Sequence, residues 1–411
     1  MENKSRLRSR RKHEINGGLM NTKVFRLVLC VFLSLAVALL SGCERMRDMG
    51  MTDEMVTPPD ADTMPVLKVG VIRPHPLYFS FGEGAELAQG EINQAGGILG
   101  MQVEFVYREE LTEDVVQSAT ELAETEHVVA ILGPLFSSHA VKVGPIINIP
   151  TIVGATGANV TETGEFLFLA ASSNALQAKL MAQFAVNELG AKTAAMIWQN
   201  EDVYSIGFVE AFDANFQELG GSIVERQMYE SGDTIFEAQL TAIKAANPDV
   251  LFLASFPPEN PLIMKQARDM GIESTFIGSD GMDDSLMFEV LEDNAPLENT
   301  YYCTNFDPDA MEFISAYEAM FENPANGIAA TGYDAMHLLA IAIEAVGSTD
   351  PVMVRDAIAA ITDYEGATSI SRFDENRHPV KSVGVFQITN GEVQPYTVVG
   401  TETVFEITGP E

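Results

Sequence analysis

The chain is poor in bases, cysteine and histidine. Its 411 residues carry 24 Lys and Arg against 59 Asp and Glu, a formal net charge of −35. A nucleic-acid binder needs a basic face, and so few bases build none; nor does an anionic lipid surface attract such a chain. The three cysteines, Cys30, Cys43 and Cys303, are too few for a disulfide framework. The six histidines (His13, His75, His127, His139, His337 and His378) never pair with another His, Cys or carboxylate at a metal-ligand spacing. There is no G-x-S-x-G elbow, Walker A loop or G-x-G-x-x-G fingerprint. Gly154-Ala155-Thr156-Gly157 resembles a fragment of a phosphate loop, but no Lys follows it. Ser138 and His139 are neighbours, which on a helix do not face each other. Asp283-Asp284 reads as solvated surface in so acidic a chain. No catalytic residue, metal or cofactor is therefore expected.

What is present is apolar: 46% of residues are hydrophobic, enough for real cores in two or three units at about 100–200 residues each. Lys23 and Arg26 precede the apolar run Leu27–Leu40, which ends at Ser41-Gly42-Cys43. That run is short of the ~20 residues a membrane-spanning helix needs. A basic segment, a short apolar run and small residues make a secretory signal over residues 1–43, whose start is Met1 or Met20. Leu40-Ser41-Gly42-Cys43 resembles a bacterial lipobox, which implies a diacylated Cys43 and an extracytoplasmic protein held to the membrane only by that lipid. Removing the signal takes away eight bases and two acids and leaves 57 acids against 16 bases, a net charge of −41. Self-repulsion of that size is relieved by salt, so the composition suits a saline medium. Residues 44–65 lack apolar periodicity and contain Pro58-Pro59, so they read as a flexible acidic tether.

From Leu67 onward short β-rich runs alternate with amphipathic stretches. Strands are expected at 67–72, 101–107, 127–132 and 151–153, with helices at 83–93 and 113–124 between them. A second series begins at Asn174, read as a helix cap, and runs through strands at 193–198, 222–228, 250–254 and 275–277. Alternation of this kind gives an α/β fold with two doubly wound parallel-sheet lobes and a cleft between them. The final third reads as segments that complete both sheets after the chain recrosses.

The polar chemistry sits at strand ends. Strand 128–132 leads to Gly133-Pro134-Leu135-Phe136-Ser137-Ser138, and strand 151–153 leads to Gly154-Ala155-Thr156-Gly157. Hydroxyls beside free helix N–H groups form a neutral anion site. In the second series, strand 275–277 ends at Gly278-Ser279-Asp280-Gly281, which puts a carboxylate on the facing wall. Hydroxyls opposite an acid suit a zwitterion, an α-amino acid.

These motifs resemble the leucine/isoleucine/valine-binding protein family, the type I periplasmic solute receptors of ABC importers. The match runs over about residues 66–390 and includes GEGAELAQGEINQAGGILG (82–100), Ile131-Leu132-Gly133-Pro134 with Ser137-Ser138, Gly154-Ala155-Thr156, Tyr333-Asp334-Ala335 and Gly384-Val385-Phe386. The resemblance implies that Ser137 and Thr156 bind a ligand carboxylate, and that the Gly154 carbonyl and Asp280 hold its ammonium. It places Tyr204 and Phe256 as cleft aromatics and Phe81, Leu135 and Phe136 as walls of the side-chain pocket. It also implies crossings at 171–174, 303–305 and 378–384, hence lobes of 66–173 with 304–380 and 174–303 with 381–411, a monomeric receptor and an ABC permease as partner.

The sequence departs from the family at the loop Arg73-Pro74-His75-Pro76-Leu77-Tyr78, from which Arg73 or His75 is expected to reach the cleft. Phe136 narrows the pocket, Phe256 lacks a hydroxyl, and Ala170-Ala171 stand where the family carries an Arg. These changes leave open an amide, urea or aromatic-acid ligand. From other classes, a sensor or envelope scaffold is an alternative, and a hydrolase dependent on Ser137 a more distant one.

Overall fold

The computed structural model describes residues 64–74, 78–111 and 113–399. The signal, Cys43, residues 44–63 of the tether, His75 and residues 400–411 lie outside the described residues. The first lobe runs β1 (Val66–Arg73), α1 (Ser80–Gln94), β2 (Gln102–Glu109), α2 (Val115–Glu124), β3 (Ile131–Leu132), α3 (Ser137–Val143), β4 (Thr151–Val153) and β5 (Leu167–Leu169). Its five strands are all parallel, in the order β2-β1-β3-β4-β5. Alternation along β1 sends Val69 and Val71 into the core beneath α1, and Ile72 into the core on the other face. Helices cover both faces, which is why the strands are apolar runs.

The second lobe repeats the plan with α4 (Asn174–Asn187), β6 (Thr193–Gln199), α5 (Val203–Glu218), β7 (Ser222–Tyr229), α6 (Glu237–Ala246), β8 (Val250–Ala254), α7 (Glu259–Asp269), β9 (Thr275–Gly278), α8 (Leu286–Glu289) and β10 (Thr300–Thr304). Its parallel strands run β7-β6-β8-β9-β10, the same order as in the first lobe. In both sheets the winding reverses beside the first strand, and ligands bind at the carboxyl ends near such a reversal.

The chain then returns through α9 (Met311–Phe321), α10 (Gly327–Val346) and α11 (Pro351–Ala359). Helix α10 packs on α1 at a very close approach: a Cβ at Gly84 would overlap the Ala329 backbone, and one at Gly332 the Phe81 backbone. The last strands depart from the expectation that they complete both sheets. β11 (Thr362–Glu365), β12 (Ser369–Phe373) and β13 (Pro379–Lys381) form a separate three-stranded antiparallel sheet, and only β14 (Val383–Thr389) and β15 (Glu392–Val399) join the second lobe, beside β10. Two local readings also change. The run 127–132 is strand only at Ile131–Leu132. Ser173, not Asn174, caps α4, by accepting from the Leu176 N–H. The Asn174 side chain is used elsewhere, accepting from the Ala158 N–H (3.2 Å) and donating to the Tyr204 carbonyl (3.2 Å).

The segments near residues 172, 305 and 381 are stitched to one another. The Ser172 N–H donates to Asn305 Oδ1 (2.7 Å), and the buried Lys381 Nζ donates to the Ala170 carbonyl (3.1 Å). Lys381 thus brings a cation to the Ala170-Ala171 stretch.

Candidate functional site

Between the lobes lies a cavity of about 40 Å³ lined from both sides. From the first lobe come Leu135, Ser137, Gly154 and Thr156, on the loops that follow β3 and β4. Tyr204, Phe256, Asp280 and Gly281 face them from the second. Every one of these loops leaves the carboxyl end of its strand or starts the next helix, so the two sheets aim the same kind of edge at the cavity.

The first wall is built of neutral donors. Ser137 opens α3, so its N–H has no partner within the helix. Its hydroxyl accepts from the Gly157 N–H (3.0 Å), which locks the two loops together. The Thr156 hydroxyl is buried and has no hydrogen-bond partner. An unpaired buried hydroxyl costs about 1–3 kcal/mol, an expense that a ligand oxygen there would offset. Beneath these loops sits Glu110, buried, whose two oxygens accept from the Leu135 N–H (2.8 Å), the Phe136 N–H (2.9 Å) and His139 Nδ1 (3.0 Å). Burial pushes the Glu110 carboxyl above the usual range, against the pull of those donors. His139 is therefore engaged with Glu110, and Ser137 with Gly157; the two do not form a nucleophile–base pair.

The second wall is a carboxylate in a cage. Asp280 accepts from the Tyr204 hydroxyl (2.7 Å), Gln177 Nε2 (2.9 Å) and Asn305 Nδ2 (3.1 Å). Tyr204 in turn accepts from the Gly281 N–H (2.9 Å). Gly281 is required by close approach: a Cβ would lie 2.6 Å from the Ser255 carbonyl and 3.0 Å from the Tyr204 hydroxyl. Among the described residues no Lys, Arg or His lies within ion-pair distance of Asp280. Burial raises its pKa, and the three neutral donors partly reverse that.

Aromatic rings close one end. Phe256 stacks on Tyr204 with centroids 4.5 Å apart, and meets Tyr78 and Phe136 edge-on at 5.8 and 5.5 Å. The Tyr78 hydroxyl donates to the Pro257 carbonyl (3.3 Å), so the lobes touch here. Among the described residues no group of three or more His, Cys, Asp or Glu is placed to share a metal ion.

A family model described as periplasmic binding protein matches residues 79–392 of this chain. The chain belongs to the periplasmic binding protein family. Members of this family are solute-binding receptors, not enzymes. The chain is 30% identical to a solved leucine binding protein from Thermotoga maritima, with a TM-score of 0.76 over 82% of this chain and 99% of that one. It is 28% identical to a branched-chain amino acid transporter substrate binding protein from Streptococcus pneumoniae, solved with isoleucine, with a TM-score of 0.75 over 81% and 99%. A curated amino acid binding protein from Pseudomonas aeruginosa is 27% identical over 302 residues, 69% of this chain and 79% of that one.

In this periplasmic binding protein the expected site residues divide. Ser137, Gly154, Thr156, Tyr204, Phe256 and Asp280 meet in the cavity. Phe81 and Phe136 are not on its lining. Phe81 is fully buried in the first lobe's core, beneath Gly154, and Phe136 reaches the site only through its contacts with Tyr78 and Phe256. Arg73 does not reach the cleft. Strand alternation puts it on the face of Val69 and Val71, where it lies 4.2 Å over the Tyr107 ring and pairs with Glu109 (3.3 Å) and Glu86 (3.7 Å). Asp283 is not solvated surface: it is buried and accepts from Thr304, the Gly327 N–H (2.6 Å) and the Tyr302 hydroxyl (3.3 Å). Cys303 is a buried free thiol whose pKa burial pushes up. Sequence reasoning did not assign Tyr78, Gln177, Asn305 or Ile328 to the site. Gln177 had a signal, a polar residue on the apolar face of α4; the others had none.

Proposed function

We propose that the protein is an extracytoplasmic receptor that closes two lobes on a small α-amino acid and presents it to an ABC permease. The reading is carried by one observation: a single small cavity joins Ser137 and the unpaired Thr156 hydroxyl on one wall to Asp280, which has no ion-pair contact among the described residues, on the other. The ligand carboxylate accepts from the Ser137 and Thr156 N–H groups and hydroxyls. Its ammonium donates to Asp280 and to the Gly154 carbonyl. Each charge-assisted contact contributes about 1.5–3 kcal/mol, enough for micromolar binding near −8 kcal/mol once association costs of at least about 4 kcal/mol are met. The names of its relatives, leucine, isoleucine and amino acid binding proteins, support the class. The cavity is small, about 40 Å³ on a scale where one water takes roughly 10–15 Å³, and Tyr78 and Phe256, backed by Phe136, close its end, so the preferred side chain is short.

In this reading residues 66–173 with 304–380 and 174–303 with 381–411 move as the two lobes, the chain works as a monomer, and Cys43 carries the lipid that holds it to the membrane. The same small cavity favours a second ligand class, a short amide or urea, whose N–H groups Asp280 accepts.

Thermal melting of the protein, refolded to strip ligand and run against amino acids, short amides and urea, tests both. A ligand at 100 times its Kd adds about 2.7 kcal/mol, a shift of several degrees. Shifts confined to small amino acids are expected; shifts confined to amides select the second class, and a flat panel refutes the receptor reading.

A further inference from the structure

A second, larger cavity lies beside the cleft, about 390 Å³ against about 40 Å³. Asp283 borders both and separates them. One side comes from the start of α1, with Phe79 and Ser80, and from Tyr317 and the loop Asn323–Asn326 that leads into α10. The other comes from Met282–Phe288 after β9, from Phe386 on β14, and from Gly391–Val393 at the turn into β15. Both lobes therefore supply its walls, as they do for the cleft, but with different residues.

Its chemistry differs as well. Phe79, Phe288, Phe306, Tyr302, Tyr317 and Phe386 make the body of the wall aromatic. The charged residues on it are Asp283, Asp284 and Glu392, all acidic, and no base is among the described lining residues. Asp283 is already satisfied by three donors. Asp284 is half-buried, and the one bond described to its carboxylate runs from the Leu286 N–H (2.9 Å) to Oδ1. Ser80 supplies an independent observation: it is 5% exposed, stands on the cavity wall, and its hydroxyl has no hydrogen-bond partner. A buried unpaired hydroxyl is costly and calls for an occupant with a polar group.

We propose that this cavity is a second ligand site, for an organic ammonium with an apolar or aromatic body. The ammonium sits by Asp284 and the Ser80 hydroxyl, and the apolar body lies among the phenylalanine rings. Cations are drawn both by the acids and by the faces of such rings, and a volume of this size falls in the range of small-molecule pockets, about 300–1,000 Å³. The aromatic wall distinguishes the site from general attraction to an acidic surface, which would take any cation. A purely hydrophobic ligand would leave Asp284 and Ser80 unanswered. The inference stands apart from the reading of the cleft, because it uses none of the residues that hold the amino acid.

The probe is 2-phenylethylammonium chloride, titrated calorimetrically into the purified protein at low and at physiological salt, with 2-phenylethanol as its neutral counterpart. Saturable one-to-one binding of the ammonium is expected, at least tenfold tighter than the alcohol. Asp284→Asn is expected to weaken it tenfold or more, and Ala325→Trp, which fills the cavity from its loop, to abolish it. Asp280→Ala, which removes the cleft's own ammonium partner, is expected to leave it within twofold. Melting curves verify that each variant is folded, and Asp284→Asn is a test that leaves the packing intact. Equal binding of the alcohol, no effect of either Asp284→Asn or Ala325→Trp, or loss of binding in Asp280→Ala would each overturn the proposal.

Discussion

Two buried carboxylates, Asp280 and Asp334, are dressed almost alike and stand in different surroundings. Asp280 accepts from a tyrosine hydroxyl and two side-chain amides. Asp334 accepts from the Tyr364 hydroxyl (2.7 Å), the Ala367 N–H (2.9 Å), and the N–H and hydroxyl of Thr368. Burial raises the pKa of both. The difference is how one cation, Lys381, acts on them: both carboxylates attract it, Asp334 the more strongly. Beside Asp334 stands Lys381, whose ammonium shares the Thr368 hydroxyl (3.1 Å) and whose positive charge draws the Asp334 pKa back down. The cage around Asp280 is neutral. Asp334 is tied to Lys381 through the Thr368 hydroxyl, whereas Asp280 opens onto the cavity.

The largest effect should come from breaking the tie. Asp334→Ala leaves four donors without their acceptor and removes the larger of the two carboxylate attractions on Lys381, and should cost about 3–5 kcal/mol of stability, read by urea unfolding, with ligand affinity in the folded protein within twofold. Comparable stability would show that Lys381 is not held by Asp334.

Lys381 itself gives a pH signature. Burial depresses its pKa from 10.5 to about 8, despite the attraction of Asp334 and Asp280. A depressed base favours the fold above its unfolded pKa and loses that contribution as pH falls through the folded value. Stability should therefore rise from pH 8 to 10.5, by roughly 3 kcal/mol at 1.36 kcal/mol per unit. In Lys381→Met that rise should disappear; a rise of the same size in the variant would assign it to another group.

Asp280→Ala sharpens the other half of the comparison. Affinity for the amino-acid ligand should fall about a hundredfold, roughly 2.7 kcal/mol, while stability falls less than in Asp334→Ala, because removal of a desolvated carboxylate offsets part of the loss of an acceptor for three donors. The opposite pattern, lost stability with retained affinity, would make Asp280 a second structural tie.

The smallest expected change is on the facing wall. Thr156→Ala should cost about tenfold in affinity, some 1.4 kcal/mol, with no loss of stability, since its hydroxyl has no partner in the free protein. An unchanged affinity would leave that hydroxyl without a ligand.

The two walls were unequally legible. The first is local: Ser137 and Thr156 follow apolar strands within a few residues, and a strand end followed by small polar residues is visible in a one-dimensional pattern. For the second, the presence of Asp280 after β9 was visible, but not its cage, whose members at positions 177, 204 and 305 come from separate elements. Arg73 was misplaced for a specific reason. It ends a strand that points at the cleft, but the pleat sends its side chain to the α1 face, and strand position alone does not reveal which face an end residue takes. Asp283 was misjudged because charge beside charge is normally solvated, whereas here Thr304 and the Gly327 N–H, distant in the chain, enclose it.

By itself the sequence determined the α/β alternation, the two-lobed plan and the strand ends that carry polar groups, because these follow from apolar periodicity and from turn and cap residues acting over a few positions. Tertiary structure decided which polar groups face each other and which carboxylate attracts Lys381 the more strongly. The Lys381 bond to Ala170 spans 211 positions, and nothing local to either residue records it. Burial of a charge is a property of everything packed around it, so its cost, its partners and its use appear only once the chain has crossed between the lobes and back.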